Sequence, residues 1–578
     1  MVTATRTPTR VDAALAEVTV IERSQIAAHT GRNLASLLAE QPGLQFWSNG
    51  GLGAFSSVSI RGLEARHTLL LIDGVRYGSA TVGTPVFENI PLQAIERIEI
   101  VRGPLSALYG SDAVGGVIQV FTKSGAPGLQ PSASLGVGSE GHRQLSAGLR
   151  FGAGAVDGAL TLQALRDKGF SATNPRVPFG SHNPDRDGFD QDSAALQLGL
   201  ALPAAWRLQA RALHSAGTSW YDDGPGADSR AGLLTRVLSL QAAGPVLGPW
   251  RSSLLVARST DEYDTQVSAS RFATLGVIGS VNKQLSWENT VETAAGTLLV
   301  LAERLEQVVS RPGAAFAVSQ RSIDGLGVGL NGQAGVHHWQ AALRNDSNSQ
   351  FGRIGTGSVG YGVAVSPQLR LGLSAGTSFN APSFNQLYFP NFGNPALLPE
   401  EGRHRELSLR WAAGPHELRA ALFDNDIRGY ITPGRDPTNV DASIEGLSLS
   451  ASTRWAGWAL SLSGDFLDPR NSNPLNSNFG KLLPRRAQHL LRLDAERTVG
   501  AWTVGAKLNK VGARFDNAAN TDRLRGYSTL DLRADWALAS DWRLGLKLNN
   551  AADARYESTL GYNQPGREWM MTLRYGAR

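Results

Sequence analysis

Residues Ile95 to Lys123 read IERIEIVRGPLSALYGSDAVGGVIQVFTK. This stretch closes a compact globular sequence, and roughly 450 residues of short alternating strands follow it, far more than one domain needs. A small packed domain leading into so long a strand array suggests a domain lodged inside a very large barrel.

Upstream, the extended β-branched segment Val2-Thr3-Ala4-Thr5 precedes a first strand around Val18 to Ile21. Leu34, Leu37 and Leu38 recur at helical spacing, and Pro42-Gly43 stops that helix. SSVSIRG (Ser56 to Gly62) and HTLLLIDGVR (His67 to Arg76) come next. This mixture of strands, one helix and two Gly/Ser-rich loops reads as an α+β domain of about 125 residues.

From Leu129 onward the period is two. In WTVGAKLN, Trp502, Val504, Ala506 and Leu508 alternate with Thr503, Gly505, Lys507 and Asn509; in DWRLGLKLN, Trp542, Leu544, Leu546 and Leu548 alternate with Arg543, Gly545, Lys547 and Asn549. A polar face that keeps returning to Lys, Arg and Asp, as at Asp531, Arg533 and Asp535, suits a wet lumen with lipid outside. About 20 residues per strand and connection gives about 22 antiparallel strands, a width at which barrels are plugged. Trp455, Trp458, Trp536 and Tyr575 near strand ends fit interfacial girdles. Long polar connections, Lys168 to Ser193, Ser215 to Ala231, Thr377 to Arg403 and Asp465 to Arg485, alternate with short turns such as Gly414-Pro415. The expected fold is an all-β transmembrane barrel with an N-terminal α+β plug, divided into residues 1–8, 9–126 and 127–578.

Composition agrees. The 578 residues carry 18% charge and a net charge of +5, with basic residues scattered among acids. No block of basic residues offers a nucleic-acid surface. No apolar run approaches the roughly 18 residues of a spanning helix, and the absence of cysteine excludes disulfides and thiolate metal sites. No signal-peptide pattern follows Met1, so a mature exported form is expected. Neither a Gly-x-Ser-x-Gly elbow nor a metalloprotease helix occurs, which argues against an enzyme.

Three groups of motifs resemble those of the TonB-dependent outer-membrane receptors. Val2-Thr3-Ala4-Thr5-Arg6 resembles the TonB box. Ser59-Ile60-Arg61-Gly62, Ile72-Asp73-Gly74-Val75 and Glu99 to Gly116 look like the plug motifs, and Phe379-Asn380-Ala381-Pro382 with Gly393-Asn394-Pro395 and Leu398-Pro399-Glu400 looks like the long-loop motif of the barrel. FWSNGGLGAFSSVSIRG, RGPLSALYGSDAVGGV and GYNQPGREW are similar to the cobalamin-transporting branch of that family. The resemblance implies active import of a corrinoid across the bacterial outer membrane by a monomer, with TonB as energising partner; ferric siderophore or haem is the alternative cargo.

An extended segment such as Val2 to Thr5 has free backbone groups that a partner's sheet edge can capture. Plug arginines in a polar lumen need carboxylate partners, and the family's plug–barrel pairing implies Arg61 and Arg102 with Glu400 and Glu406. The loops Asn49 to Ser57 and Tyr77 to Val86 are expected at the outer mouth, with Phe55, Ser56, Ser57, Tyr77, Thr81 and Val82 touching a large amphipathic ligand. Asp185, Asp187, Asp190 and Asp192 crowd one loop, and Asp222, Asp223 and Asp228 the next. Hard oxygen ligands at that density suit calcium, and the Asp-x-Asp-Gly-Phe resemblance carries that role to Asp185 and Asp187, with Asp228 a looser match. His337-His338 lies in a strand, whose neighbours face opposite sides, so that pair cannot chelate one metal. Ser383 to Leu397 holds no histidine, which disfavours haem.

Overall fold

A computed structural model describes all residues except 1–5, 8, 11–13, 30, 271–272, 314, 435 and 577–578. Val2, Thr3, Ala4 and Thr5, the residues expected to bind TonB, lie outside the described residues.

The alternating segments form one closed barrel of 22 antiparallel strands. Its first strand, Gly128–Gly138, pairs with its last, Glu568–Tyr575, Leu135 opposite Leu573 and Ala133 opposite Tyr575, so no sheet edge is left unpaired. Among the described residues no helix is long and apolar enough to cross a membrane; the strands cross it.

The period of two resolves as expected. Trp502, Leu508, Trp536, Trp542 and Leu546 are exposed on the outer wall together with Leu326, Leu343, Val359 and Leu373, forming the apolar band that lipid requires. Trp502 and Trp536 stack with centroids 5.1 Å apart, and Trp542 approaches Tyr575 at 5.1 Å. These rings sit beside the short turns, as do Trp455 and Trp458, which face each other across one. They make the girdle at the end of the barrel where its two chain termini lie.

The opposite rim carries the long connections. They are shorter than expected because the strands run past the apolar band: residues 171–186 connect two strands where a loop to Ser193 is expected, since the strand Asp187–Ala201 starts inside it. On that strand the exposed leucines are Leu196, Leu198 and Leu200. Asp187 therefore stands nine residues, about 30 Å along the strand at the usual rise per residue, beyond Leu196.

Inside the barrel is the plug. Its sheet has the order β1-β6-β7-β4-β5, formed by β1 (Glu17–Glu22), β4 (Thr68–Ile72), β5 (Val75–Arg76), β6 (Ile95–Arg102) and β7 (Gly116–Thr122). A hairpin of β2 (Leu44–Ser48) and β3 (Ser56–Ile60), and helices α1 (Arg23–Ala28), α2 (Leu34–Ala39) and α3 (Ser106–Tyr109), surround it. The decisive stretch is thus β6, α3 and β7.

Both faces of this sheet are buried. Leu70, Ile72, Ile98, Ile100, Ile118 and Val120 pack against Ile26, Leu34 and Leu38 and reach the barrel wall at Leu213 and Val237. Leu69, Leu71, Val101 and Val117 pack on the other side against Leu108, Tyr109, Leu299 and Leu301. Burial on two sides explains why β4 reads as an unbroken apolar run, TLLLI, while the barrel strands alternate.

Candidate functional site

Charged groups seat the plug in the barrel. Arg61, at the end of β3, is held at φ 52, a left-handed conformation that costs an ordinary residue about 1–2 kcal/mol. That twist aims its guanidinium at Glu406 on the barrel strand Glu400–Ala413 and at Glu17 of the plug, 3.0 Å away, with the Phe423 ring beneath it at 4.7 Å. Burial alone would raise the Glu17 carboxyl, but Arg102 and Arg61 hold it below the usual carboxylate range.

Glu400 anchors a second cluster. Its two oxygens accept from Arg66 Nε and Nη2 at 3.0 and 2.9 Å, from Asn380 Nδ2 at 2.7 Å and from the Ile431 N–H at 2.8 Å, and they pair with His67 Nε2 at 2.9 Å. Arg66 and His67 are absent from the expected set; their adjacency to a plug strand, Thr68–Ile72, is the signal that could have drawn attention to them.

Arg102 needs correction as a plug–barrel partner. It is buried and bonds within the plug, to Glu17 at 3.3 Å, Thr19 Oγ1 at 2.9 Å and the Pro42 carbonyl. The reason is register: β1 and β6 pair with Glu17 directly opposite Arg102.

Arg6, the last residue of the stretch that resembles a TonB box, enters the same charged lumen. Arg6 Nη1 lies 2.6 Å from Glu288 and Nη2 2.8 Å from Glu303, and its guanidinium stacks on Tyr109 of α3 at 4.6 Å. Nothing in the local sequence marks Glu288 and Glu303 as partners, because their convergence depends on barrel closure.

The two plug loops at the outer mouth divide into exposed and buried members. Phe55 and Val82 are 38% and 40% exposed. Tyr77 is only 3% exposed and its hydroxyl bonds Thr235 of the barrel wall at 2.6 Å. Ser57 is buried, and Thr81 is buried with its hydroxyl 2.7 Å from Ser79 Oγ and its carbonyl accepting from the Asn385 N–H at 2.8 Å. Ser56 gives both its N–H and its hydroxyl to Glu88. The ligand-contact expectation is therefore corrected for Ser56, Tyr77 and Thr81, whose side chains fasten the loops, and for Ser57, which is buried; the exposed pair is Phe55 and Val82. Trp47 extends the aromatic surface, 5.6 Å from Phe55 and under Arg485 at 4.4 Å. Burial raises the Glu88 carboxyl to about 7, against the backbone and Ser56 donors that lower it.

Beside this mouth the carboxylates of Asp185, Asp187 and Asp222 offer oxygens within 4.8 Å of one another. Asp222 Oδ2 accepts from Thr173 Oγ1, while its Oδ1 is buried with no protein donor. Burial and then the neighbouring carboxylates raise the pKa of both Asp187 and Asp222, that of Asp187 to about 7. Such crowding fits a hard dication. Asp228 is not in the cluster; it pairs with Arg230 at 3.3 Å, and Asp222 stands where Asp228 is expected. Within the outer connection the Ala172 N–H donates to Asp187 at 2.7 Å, and the plug apex packs against the same segment: a Cβ on Gly50 would sit 2.9 Å from that of Ala172, and one on Gly53, at φ 74, 2.2 Å from the Phe189 ring.

A barrel of this width obstructed by a folded domain is a channel held shut. Residues 131–551 match the family model described as TonB dependent receptor-like, beta-barrel, and residues 10–117 match the TonB-dependent Receptor Plug Domain. The chain is 30% identical to the vitamin B12 transporter BtuB of Photobacterium profundum over 100% of this chain and 95% of that one. It is 28% identical to the protein of that name in Vibrio vulnificus, with the same 100% and 95% coverage. Among solved structures, the siderophore receptor PirA of Acinetobacter baumannii is similar with a TM-score of 0.84 at 16% identity, covering 96% of this chain and 98% of that one. The ferric enterobactin receptor PfeA of Pseudomonas aeruginosa gives 0.80 at 18% identity, covering 96% and 99%. The chain belongs to the TonB-dependent receptor family and is a transport receptor of the bacterial outer membrane.

Proposed function

We propose that this receptor imports a corrinoid, cobalamin or a close relative, bound at the outer mouth by Phe55, Val82 and Trp47 together with the outer loops. The observation that carries this reading is the full-length likeness to proteins named vitamin B12 transporters. Solved relatives below 20% identity speak to fold only. An aromatic and aliphatic surface ringed by backbone amides suits a large amphipathic cargo.

TonB would take Val2 to Thr5 by strand addition and transmit force through Arg6 into the plug; no chemical step on the cargo is invoked. Asp185, Asp187 and Asp222 would hold calcium, which supplies positive charge that neutralises three crowded carboxylates and ties their two loops together. Calorimetric titration of the purified receptor with cyanocobalamin, haemin and ferric enterobactin, with and without calcium, tests the reading. Tight binding of cyanocobalamin alone, strengthened by calcium, is expected; preference for either iron complex would overturn it.

A further inference from the structure

Five consecutive barrel strands each place an exposed basic residue on the lipid-facing wall, just beyond their apolar stretch toward the outer rim. They are His214 on Arg207–Trp220, Arg236 on Arg230–Leu247, Arg258 on Trp250–Val267, Lys283 on Gly276–Thr293 and Arg304 on Gly296–Ser310. Alternation fixes their side: the adjacent Leu213, Val237, Ala257 and Leu305 are buried, while Leu238, Val256 and Leu285, two positions nearer the inner rim, are exposed with them. Trp250, beside a short turn, fixes the depth. Arg258 stands eight residues above it, about 26 Å along the strand, or roughly 20 Å along the membrane normal at a tilt of about 40°. The apolar band of such a barrel is about 25 Å tall, so the long side chains of Arg258 and Lys283 reach the outer-leaflet headgroups.

The register crowds these cations. Arg258 lies directly opposite Lys283, and Arg236 directly opposite His214; Arg236 and Arg258 are diagonal neighbours, since Arg236 faces Thr260. Side chains opposed across two strands have Cβ atoms about 5 Å apart, and like charges placed there repel. Among the described residues Arg258 forms no ion pair, and Arg236 donates to His214 Nδ1 at 3.2 Å. Lys283 reaches Glu306 at 3.6 Å, an acid that Arg304 holds more closely at 3.2 Å. Two other charged stretches of the outer wall are matched. Between Glu400–Ala413 and His416–Ile431 the opposed pairs are Glu401 with Arg428, Arg403 with Asp426 and Arg405 with Asp424. Arg143 also faces Arg166, but there Arg166 has Asp192 at 2.8 Å and Asp190 at 3.6 Å.

We infer that Arg236, Arg258 and Lys283 form a docking site for an outer-leaflet lipid whose headgroup bears a phosphate monoester, its acyl chains lying on Leu238, Val256 and Leu285 below. A phosphate monoester carries nearly two negative charges and three acceptor oxygens, which match two opposed cations and a third beside them. Arginine binds such a group through paired N–H donors. A singly charged diester headgroup leaves part of the repulsion uncompensated. The inference goes beyond cargo import and holds whichever cargo the receptor takes.

Native mass spectrometry of the full receptor in nonionic detergent, offered equal amounts of diphosphoryl lipid A and phosphatidylglycerol, tests the site. The unaltered receptor should retain lipid A at least tenfold over phosphatidylglycerol. Arg258→Gln with Lys283→Gln should lower lipid A retention at least fivefold, while Arg353→Gln should leave it unchanged, since Arg353 is an exposed basic residue that faces Ser347 on another part of the wall. Arg258→Glu supplies the acid that Lys283 lacks opposite it, so that variant should lose the lipid while its thermal midpoint in lipid-free detergent holds or rises. Equal retention of lipid A by the double variant, or equal retention of the two lipids by the unaltered receptor, would overturn the inference. So would an Arg258→Glu receptor that keeps the lipid.

Discussion

Arg61 and Glu406, 345 positions apart in the chain, meet as a buried ion pair between plug and barrel wall. Removing one partner strands the other charge in a poorly hydrated interior, which costs about 3–5 kcal/mol. Arg61→Ala should therefore raise open-channel conductance in planar bilayers and lower the urea midpoint of plug release. Unchanged conductance together with an unchanged midpoint would contradict a seating role.

Arg102 and Glu400 should separate in their effects. Glu400→Ala leaves Arg66 and His67 of the plug without their barrel carboxylate, so plug release is eased. Arg102→Ala removes a bond inside the plug, so hydrogen exchange should quicken in β1 and β6 while conductance changes less than in Glu400→Ala. Equal conductance changes in both would contradict the assignment.

The pairing of the first arginine was legible because its motif, Ser59 to Gly62, sits in a recognisable plug stretch. The partner of Arg102 was not, since it follows from β1–β6 register, and single-sequence patterns do not fix register between strands some 80 residues apart. The same limit hid Tyr77: its Gly/Ser-rich surroundings read as an exposed loop, but its hydroxyl reaches a strand hydroxyl at Thr235 that only closure of the barrel brings near. By contrast, the two faces of WTVGAKLN were readable outright, because alternation depends on local geometry alone.

Asp222→Asn should weaken calcium binding by on the order of tenfold or more, since affinity follows the number of ligand charges, while Asp228→Asn should change it little. Isothermal calorimetry distinguishes the two. Equal losses would return Asp228 to the site, and no calcium heat in the unaltered receptor would remove the site.

Glu88 makes plug-loop stability pH-dependent. Its carboxyl rises from an ordinary 4.5 to about 7 in the folded receptor. Between those values the folded state holds a proton that the unfolded chain has lost, so this contribution is complete below about pH 4.5 and declines as pH rises to about 7. Its size is at most roughly 3 kcal/mol. Thermal unfolding at pH 5 and pH 8 should show a larger difference for the unaltered receptor than for Glu88→Gln; identical differences would contradict the buried-acid argument.

Arg6 ties the end of the stretch that resembles a TonB box to the barrel wall through Glu288 and Glu303. Arg6→Ala should increase the mobility of a spin label placed at Thr5→Cys without altering cyanocobalamin affinity. An unchanged spectrum would show that those ion pairs do not restrain the box.

Energy-coupled corrinoid import is tested most directly by uptake of labelled cyanocobalamin in cells producing either the full receptor or one lacking Val2 to Thr5. The account predicts equal surface binding by both and uptake only by the full receptor. Uptake that persists without those four residues, or cells that bind no cyanocobalamin at all, would contradict it.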